Sequence, residues 1–372
     1  MRKTIYITLL SVNILFAALL LLSYLSTFIP PAKIWQFAFF GLFYPYFLAV
    51  NIIFFIIWLL SLRRAIFISI IVILAGWNHL TDYFPFHNLF SGNRMEQAIE
   101  DKTKLRIISY NIRAFNMQEW IDDLEVKNNI LNLILSEKPD IICLQEYYAE
   151  NIDKQFSDRL KSVLKETPYH HINYSIISET RTGYGMAIFS RYPVVGKGSF
   201  HFLNSANMAI FTDIAMNSDT FRIYNNHLQS INLIQRNYDF VDSLRLRYDE
   251  KQLEELKDIT RRLKHAFIKR SVQVDSLSSH IKKSRYPVIV CGDFNDTPVS
   301  YTYRKMRAGL KDSFVSFGAG TGNTYLGVFP AFRIDYIFHS PQFRTFYFER
   351  IEAVLSDHYP IICDLQYGKG MR

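Results

Sequence analysis

Acidic residues are missing from the first 64 positions of this 372-residue chain, whose only charges are Arg2, Lys3, Lys33, Arg63 and Arg64. The formal charge of +8 is therefore uneven: of the 42 basic residues, 37 lie beyond position 64, against all 34 acidic ones. A surplus so small in the larger portion of the chain excludes a nucleic-acid footprint read from net charge alone. Cysteine is scarce too. Cys143, Cys291 and Cys363 are an odd number and sit in apolar runs, which excludes a disulfide framework and leaves the compartment open. No pair of His or Cys has zinc-ligand spacing, and there is no internal repeat or low-complexity tract.

What the N-terminal region has is long apolar runs. One extends from Ile5 to Ile29 and is ended by Pro30-Pro31; a second, rich in Phe and Trp, extends from Ile34 to Leu62. Each exceeds the roughly 20 residues that cross a bilayer core. A cleaved signal peptide is shorter and is not followed so closely by a second long run. The third stretch, Ala65 to Tyr83, is apolar to Gly76 and then meets Asn78, His79 and Asp82 among the aromatics Trp77, Tyr83, Phe84 and Phe86. It reads as a shorter span with an interfacial end, or as a half-inserted segment. Basic residues flank the start of the first run and the junction of the second and third, which places those points in the cytoplasm. Three spans put everything after about residue 85 outside the cytoplasm; two would put it inside. The expectation is a multi-pass integral membrane anchor over 1–85 (helices 5–29, 34–62 and 65–83), a polar linker over 86–103, and a catalytic domain over 104–372 on the non-cytoplasmic side.

Beyond the linker the patterns shorten. Apolar runs at 105–110, 141–144, 174–177, 185–190, 211–216, 221–225, 288–291, 333–338 and 361–365 read as strands, and helical spacing appears over 124–136 and 152–165. Residues 232–284 are charged, with Leu253, Leu256, Ile259, Leu263, Phe267, Val274, Leu277 and Ile281 on one side, the signature of helices covering a sheet face. Many strands with few helices predict an α+β sandwich, sheets packed together and helices outside.

The strand ends carry the chemistry. Asn111, Glu146, His227, Asp293, Asn295, Asp335, Asp357 and His358 each fall where a run stops or starts. Oxygen-bearing side chains dominate, which suits a hard cation such as Mg²⁺ or Mn²⁺. Two histidines among carboxylates add groups that titrate near neutrality and can donate to an anion. Asp296 reads as a turn residue.

Ser-Tyr-Asn-Ile-Arg at 109–113, Asp-Ile-Ile-Cys-Leu-Gln-Glu at 140–146, Gly-Asp-Phe-Asn at 292–295, Arg-Ile-Asp-Tyr-Ile at 333–337 and Ser-Asp-His-Tyr-Pro at 356–360 resemble, in order, the motifs of the endonuclease/exonuclease/phosphatase superfamily. The resemblance runs from about Leu105 to the C-terminus and leaves the membrane segment out. It implies a four-layer α/β/β/α sandwich of two mixed sheets and a metal-dependent phosphoesterase. It further implies Glu146, Asn111 and Asp357 at the metal; Asp293 activating water; Asn295, His358 and His227 at the phosphate; and Asp335 orienting His358. A Tyr precedes the Ser-Arg turn in some branches, and Tyr184 lies near that place in an unsettled register.

The phosphate's substituent is open. A nuclease-like phosphodiesterase is the leading expectation, with nucleic acid approached by Tyr169, His170, His171 and the basic run Arg261, Arg262, Lys264, Lys269 and Arg270. The alternative is a phospholipid- or sphingomyelin-directed phosphodiesterase or phosphatase, suggested by the anchor and by His-Leu-Gln at 227–229. A remote third reading is an inactive membrane-bound binding protein. No protein partner is implied.

Overall fold

The computed structural model describes residues 3–86, 104–117, 121, 125–154, 158–231, 236–237, 240, 250–327 and 332–368. All but the first residue of the expected 86–103 linker lies outside these.

Among the described residues, twelve strands form two six-stranded sheets. The first has the order β11-β12-β1-β2-β4-β3, from Phe343–Arg350, Ile361–Tyr367, Lys104–Asn111, Ile141–Ala149, Gly183–Ser190 and Tyr169–Ile177. The second has the order β5-β6-β7-β8-β10-β9, from Val194–His201, Met208–Met216, Asp219–His227, Val288–Asp293, Asp335–His339 and Lys311–Asp312. Each sheet has one parallel pair at its centre, β1 with β2 and β7 with β8, and its other pairs are antiparallel.

The reason for stacking is in the side-chain alternation. Ile107, Ile141, Cys143 and Cys363 of the first sheet face Ile210, Ile223, Ile289, Cys291 and Ile337 of the second across a dry core. All three cysteines are buried and free. The opposite face of the first sheet is covered by α6 (Val126–Glu137), whose Ile130, Leu131 and Ile134 pack on Ile142, Leu144 and Phe189. That of the second is covered by α8 (Glu250–Lys282) and α9 (Tyr301–Arg307) through Val274, Leu277, Tyr303 and Met306. The four-layer sandwich of two mixed sheets is thus present. The alternation is cleanest on β5, an edge strand, where half-buried and exposed residues alternate over its length. It had no apolar run to announce it.

The charged 232–284 stretch does not simply cover a sheet. Among its described residues, α8 is one helix of 33 residues. Its C-terminal half packs on the second sheet. Its middle, through Ile259, Leu263 and Phe267, packs instead on Ala38, Phe39 and Leu42 of the N-terminal segment. Leu253 and Leu256, expected on that face, are 38% and 47% exposed.

In the N-terminal segment, α1 (Lys3–Leu25) is long and apolar enough to cross a membrane. Two bent pairs pass the same test jointly: α2 (Gln36–Leu42) with α3 (Tyr44–Leu60) at 57°, and α4 (Ile66–Ala75) with α5 (Trp77–Tyr83) at 69°. The burial pattern of this segment is inverted relative to a water-soluble bundle. Asn13, Ser23, Asn51 and Ser69 are fully buried, while Ile7, Leu15, Ile53, Ile56, Phe67, Ile71 and Leu74 are exposed. Several of these buried polar groups are hydrogen-bonded between helices: Asn13 Nδ2 donates to Ser69 Oγ (3.1 Å), Trp58 Nε1 to Asn13 Oδ1 (2.9 Å) and Asn51 Nδ2 to the Phe16 carbonyl (3.0 Å). Small and hydrogen-bonding residues between helices, with large aliphatics outside, is the packing that a hydrocarbon solvent selects.

This segment is docked on the two-sheet sandwich and its helices. Ser26 Oγ donates to the Val299 carbonyl (3.0 Å), the Ala32 amide to Ser271 Oγ (3.2 Å) and Arg333 Nη2 to the Asp82 carbonyl (2.7 Å). Phe39 meets Phe267 edge-on at 5.3 Å.

Candidate active site

Parallel strands that end together bring their C-terminal residues to one rim, and antiparallel partners begin there. Asn111, Glu146, His227 and Asp293 come from β1, β2, β7 and β8; Asp335 opens β10, and Asp357 and His358 lie just before β12. Of these, Glu146, His227, Asp293, Asp357 and His358, together with Asn295, line a cavity of ≈ 440 Å³. Asn111 and Asp335 stand behind it, each hydrogen-bonded to a lining residue.

The rim rests on a polar layer between the sheets. Gln145, fully buried, donates through Nε2 to Asn225 Oδ1 (2.6 Å) and Ser109 Oγ (3.2 Å). Asn225 in turn donates to the carbonyls of Leu144 (2.9 Å) and Ala187 (3.0 Å). These bonds tie β1, β2, β4 and β7 together directly beneath the site.

Backbone conformation aims the carboxylates. Strand β2 does not stop at Glu146 as expected; it runs to Ala149 with a register shift between Leu144 and Tyr147. Glu146 sits in that bulge at φ 53°, which swings its side chain out of the strand alternation. A non-glycine residue held in this region stores strain, as active sites often do. Gly292, at φ 129°, lets β8 come so close to β7 that an added Cβ would stand 2.0 Å from the Asn226 carbonyl oxygen.

The Asn111 amide links the two carboxylates, donating to Glu146 Oε1 (3.2 Å) and Asp293 Oδ2 (3.1 Å). Asn295 fixes Asp293 from the other side: its amide N–H reaches Oδ1 (2.7 Å) and its Nδ2 reaches Oδ2 (3.1 Å) and the Leu228 carbonyl (3.0 Å). Burial pushes the Asp293 carboxyl up to about 6, His358 opposing and Asp335 reinforcing the shift. Glu146 is also raised, by burial first and then by Asp357, against the hydrogen bond from Asn111. Burial works against a charge on His358, yet Asp335 and Asp293 outweigh it and hold its pKa well above the ordinary value. The Asp335 Oδ2–His358 Nδ1 distance is 2.8 Å, and His358 Nε2 stands 3.7 Å from Asp293 Oδ2. His227 is instead held neutral by burial, its Nε2 lying 3.6 Å from Glu146 and 3.8 Å from Asp293 without a hydrogen-bond partner.

Three participants went unassigned in the sequence. Tyr184 lines the cavity and hydrogen-bonds Glu146. Arg113, set by a run of left-handed residues from Arg113 to Asn116, pairs with Asp357 at 2.8 Å. Tyr325 forms an isolated bridge with His358 and packs edge-on against its ring at 5.2 Å. Only Tyr184 had a signal, the Ser-Arg turn six residues on, and the β2 bulge is what made its register uncertain. Asp296 is no mere turn residue: it lines the cavity and lies 3.4 Å from the buried Arg270 guanidinium.

The residues present fit a divalent cation. Among the described residues, Asp293, Asp335 and His358 offer ligand atoms within 4.8 Å of one another. Asp335 and His358 are committed to each other, however, and a His held protonated is not a ligand. Glu146 with Asn111 offers the better cradle: oxygen ligand atoms, a carboxyl raised by burial and by Asp357, and a side chain 23% exposed at the cavity.

Residues 108–358 match the profile of the Endonuclease/Exonuclease/phosphatase family, and residues 3–83 match a domain of unknown function. The fold is similar to that of the human Nocturnin catalytic domain (TM-score 0.51, 19% identity, 73% of this chain and 97% of that one). It is also similar to an endonuclease/exonuclease/phosphatase from Beutenbergia cavernae (TM-score 0.50, 17% identity, 72% of each chain). No curated protein matches the sequence.

Proposed function

The chain belongs to the endonuclease/exonuclease/phosphatase family, whose members hydrolyse phosphoester bonds, and from that premise we propose a divalent-metal-dependent phosphoesterase acting by in-line attack of water. The observation that carries it is the convergence of Glu146, Asp293 and the Asp335–His358 pair on one cavity from separate strand ends and loops. Glu146 and Asn111 would hold Mg²⁺ or Mn²⁺, with Asp357 beside them, and the ion would supply Lewis-acid stabilisation of the phosphate's charge.

The chain's own groups then divide the proton work. Asp293, with a carboxyl raised into the neutral range and fixed by Asn295 and Asn111, takes the proton of the attacking water. The new P–O bond forms as the ester P–O bond opposite it breaks, and the leaving oxygen takes a proton from solvent to end as a hydroxyl. His358, held protonated and oriented by Asp335, donates from Nε2 to a phosphate oxygen where negative charge develops. His227 presents its unpartnered Nε2 to the same space.

Asp293→Ala is expected to remove nearly all turnover while circular dichroism stays that of the folded protein; wild-type-like activity would sink the assignment. Glu146→Gln is expected to raise the Mg²⁺ concentration for half-maximal rate, and an unshifted metal titration would contradict its role.

The proposal extends to placement. Residues 1–85 form a three-span anchor and 104–372 the catalytic domain, on the non-cytoplasmic side. In support, the end of α1, the α2–α3 corner and the end of α5 all meet the catalytic domain, while Arg63 and Arg64 lie at the far ends of α3 and α4. A compartment-sensitive reporter fused to the C-terminus tests it; signal only from the cytoplasm would refute three spans. Nuclease-like and lipid-directed activity share this chemistry and differ in what surrounds the phosphate.

A further inference from the structure

The catalytic cavity has a second wall that the hydrolytic machinery does not use. Besides the carboxylates it is lined by Ile231, by Leu263 and Phe267 of α8, and by Leu42, the last residue of α2. Leu42 belongs to the apolar N-terminal segment, so that segment contributes directly to the cavity holding Asp293 and His358. From Leu42 the chain turns at Phe43, 47% exposed, into the apolar α3, whose outward side chains include Ile52, Ile53 and Ile56. Apolar residues thus follow one another along the chain from the cavity lining to the outside of a candidate membrane helix. A freely diffusing hydrophilic ester gives no reason for such a path.

At the junction of the two walls sits Arg270, one helical turn after Phe267 and 1% exposed. Its Nη1 donates to the Gln229 carbonyl (2.8 Å), its Nε lies 3.4 Å from Asp296 Oδ2, and its guanidinium stacks 5.1 Å from the Phe267 ring centre. Paired with Asp296, Arg270 puts a guanidinium in the lining next to the apolar Phe267, a donor that an anionic headgroup joined to a hydrocarbon chain can use.

Of the basic run that would serve a nucleic-acid backbone, Arg270 alone lines the cavity, and Lys269 donates to the Asn204 carbonyl. Arg261 and Arg262 both bind Asp258, at 2.5 and 2.7 Å, and Lys264 lies 4.8 Å over the Trp35 ring of the N-terminal segment.

Resting on the phosphoesterase reading above, we propose that the substrate is a membrane lipid: its headgroup phosphate occupies the Glu146–Asp293–His358 site, and its acyl chain runs along Ile231, Leu263, Phe267 and Leu42 toward α3. The membrane segment is then a component of the substrate site and not only an anchor.

The test uses the full-length chain in detergent micelles with Mg²⁺. The probes are soluble bis(p-nitrophenyl) phosphate, dihexanoyl and dioleoyl forms of phosphatidic acid and phosphatidylglycerol in phosphatidylcholine mixed micelles, and supercoiled plasmid. For the headgroup that is cleaved, kcat/KM for the dioleoyl form is expected to exceed that for the dihexanoyl form by about tenfold or more, a factor that roughly two buried methylenes supply. Leu42→Asp is expected to bring the ratio of the two toward unity. Equal rates for both chain lengths in the wild-type protein, or a ratio unmoved by Leu42→Asp, would overturn the proposal, and the first of these needs no variant to fold. Cleavage of plasmid or of the soluble diester with every lipid untouched would overturn it while leaving the phosphoesterase reading standing. No turnover of any probe with Mg²⁺ or Mn²⁺ would refute that reading itself, and the lipid proposal with it.

Discussion

At His358 burial and charge oppose each other, and the neighbours decide the outcome. An imidazole this enclosed would stay neutral at physiological pH, but Asp335 at 2.8 Å and Asp293 beyond it restore the proton. Asp335→Asn keeps the size and hydrogen-bonding reach of the side chain while removing its charge, so His358 loses its main reason to be protonated. The expected result is a fall in kcat on the order of 10²–10³-fold, the loss typical of one preorganised donor to developing charge, with the folded circular dichroism spectrum kept. Unchanged kcat would mean that His358 does not act as a cation. Both residues were readable in the sequence because each is fixed within its own short motif. Tyr184 had only the Ser-Arg turn to mark it, its place depending on a bulge in the neighbouring strand, and Arg113 depends on a loop held in left-handed backbone, which leaves no local pattern.

Among the elements, the β7–β8 pair makes the tightest demand on sequence. Gly292 combines φ 129° with an approach that leaves a Cβ only 2.0 Å from the Asn226 carbonyl oxygen. Backbone, not a flexible side chain, blocks the space, so Gly292→Ala must push β7 and β8 apart just before Asp293. A loss above roughly 3 kcal/mol is expected, at the severe end for single substitutions, and urea unfolding of the variant in detergent would read it. A second expectation concerns histidines enclosed by strands. His171 on β3 and His339 on β10 are pushed down to about 4, chiefly by burial. His339 is fixed between the Ser340 carbonyl (3.0 Å) and Thr345 Oγ1 (2.8 Å). The unfolded chain would take up these protons near the ordinary value of about 6.5. Stability from these groups is therefore complete above that value and is lost as pH falls toward 4. Tm should decline over that interval, and His339→Gln should make the decline shallower; a Tm flat through the interval would contradict both assignments. The central strands were readable from their apolar runs, β8 being buried at all six positions. Edge strands β5 and β11 were missed because half-exposed alternation resembles loop composition.

On the scale of the whole molecule, the feature hidden from the sequence is that the apolar N-terminal segment packs against the two-sheet sandwich and its helices. Nothing local marks Val299, Leu263 or Phe267 as facing Tyr24, Leu42 and Phe39, since those contacts join positions far apart in the chain. An ionic network reinforces them: Arg333, 2% exposed, pairs with Asp312 at 2.7 Å and donates to the Asp82 carbonyl at 2.7 Å, while Arg307 pairs with the Asp82 side chain. Arg333 lies two residues from Asp335, so this docking joint and the catalytic strand share a backbone. A fragment starting at Lys104 would expose Val299, Leu263 and Phe267, each worth about 1.5–3 kcal/mol when fully buried. It would also leave the buried Arg333 without one of its acceptors, a loss of about 1–3 kcal/mol. The fragment is therefore expected to self-associate without detergent and to unfold at a lower temperature than the full-length chain when both are measured in the same detergent. Size-exclusion chromatography and thermal unfolding read the two effects separately. A monodisperse fragment with an unchanged Tm would mean that the interface contributes little and that the anchor serves only as a tether. A fragment rescued by detergent but still shifted in Tm would locate the missing stability in the Arg333–Asp82 joint.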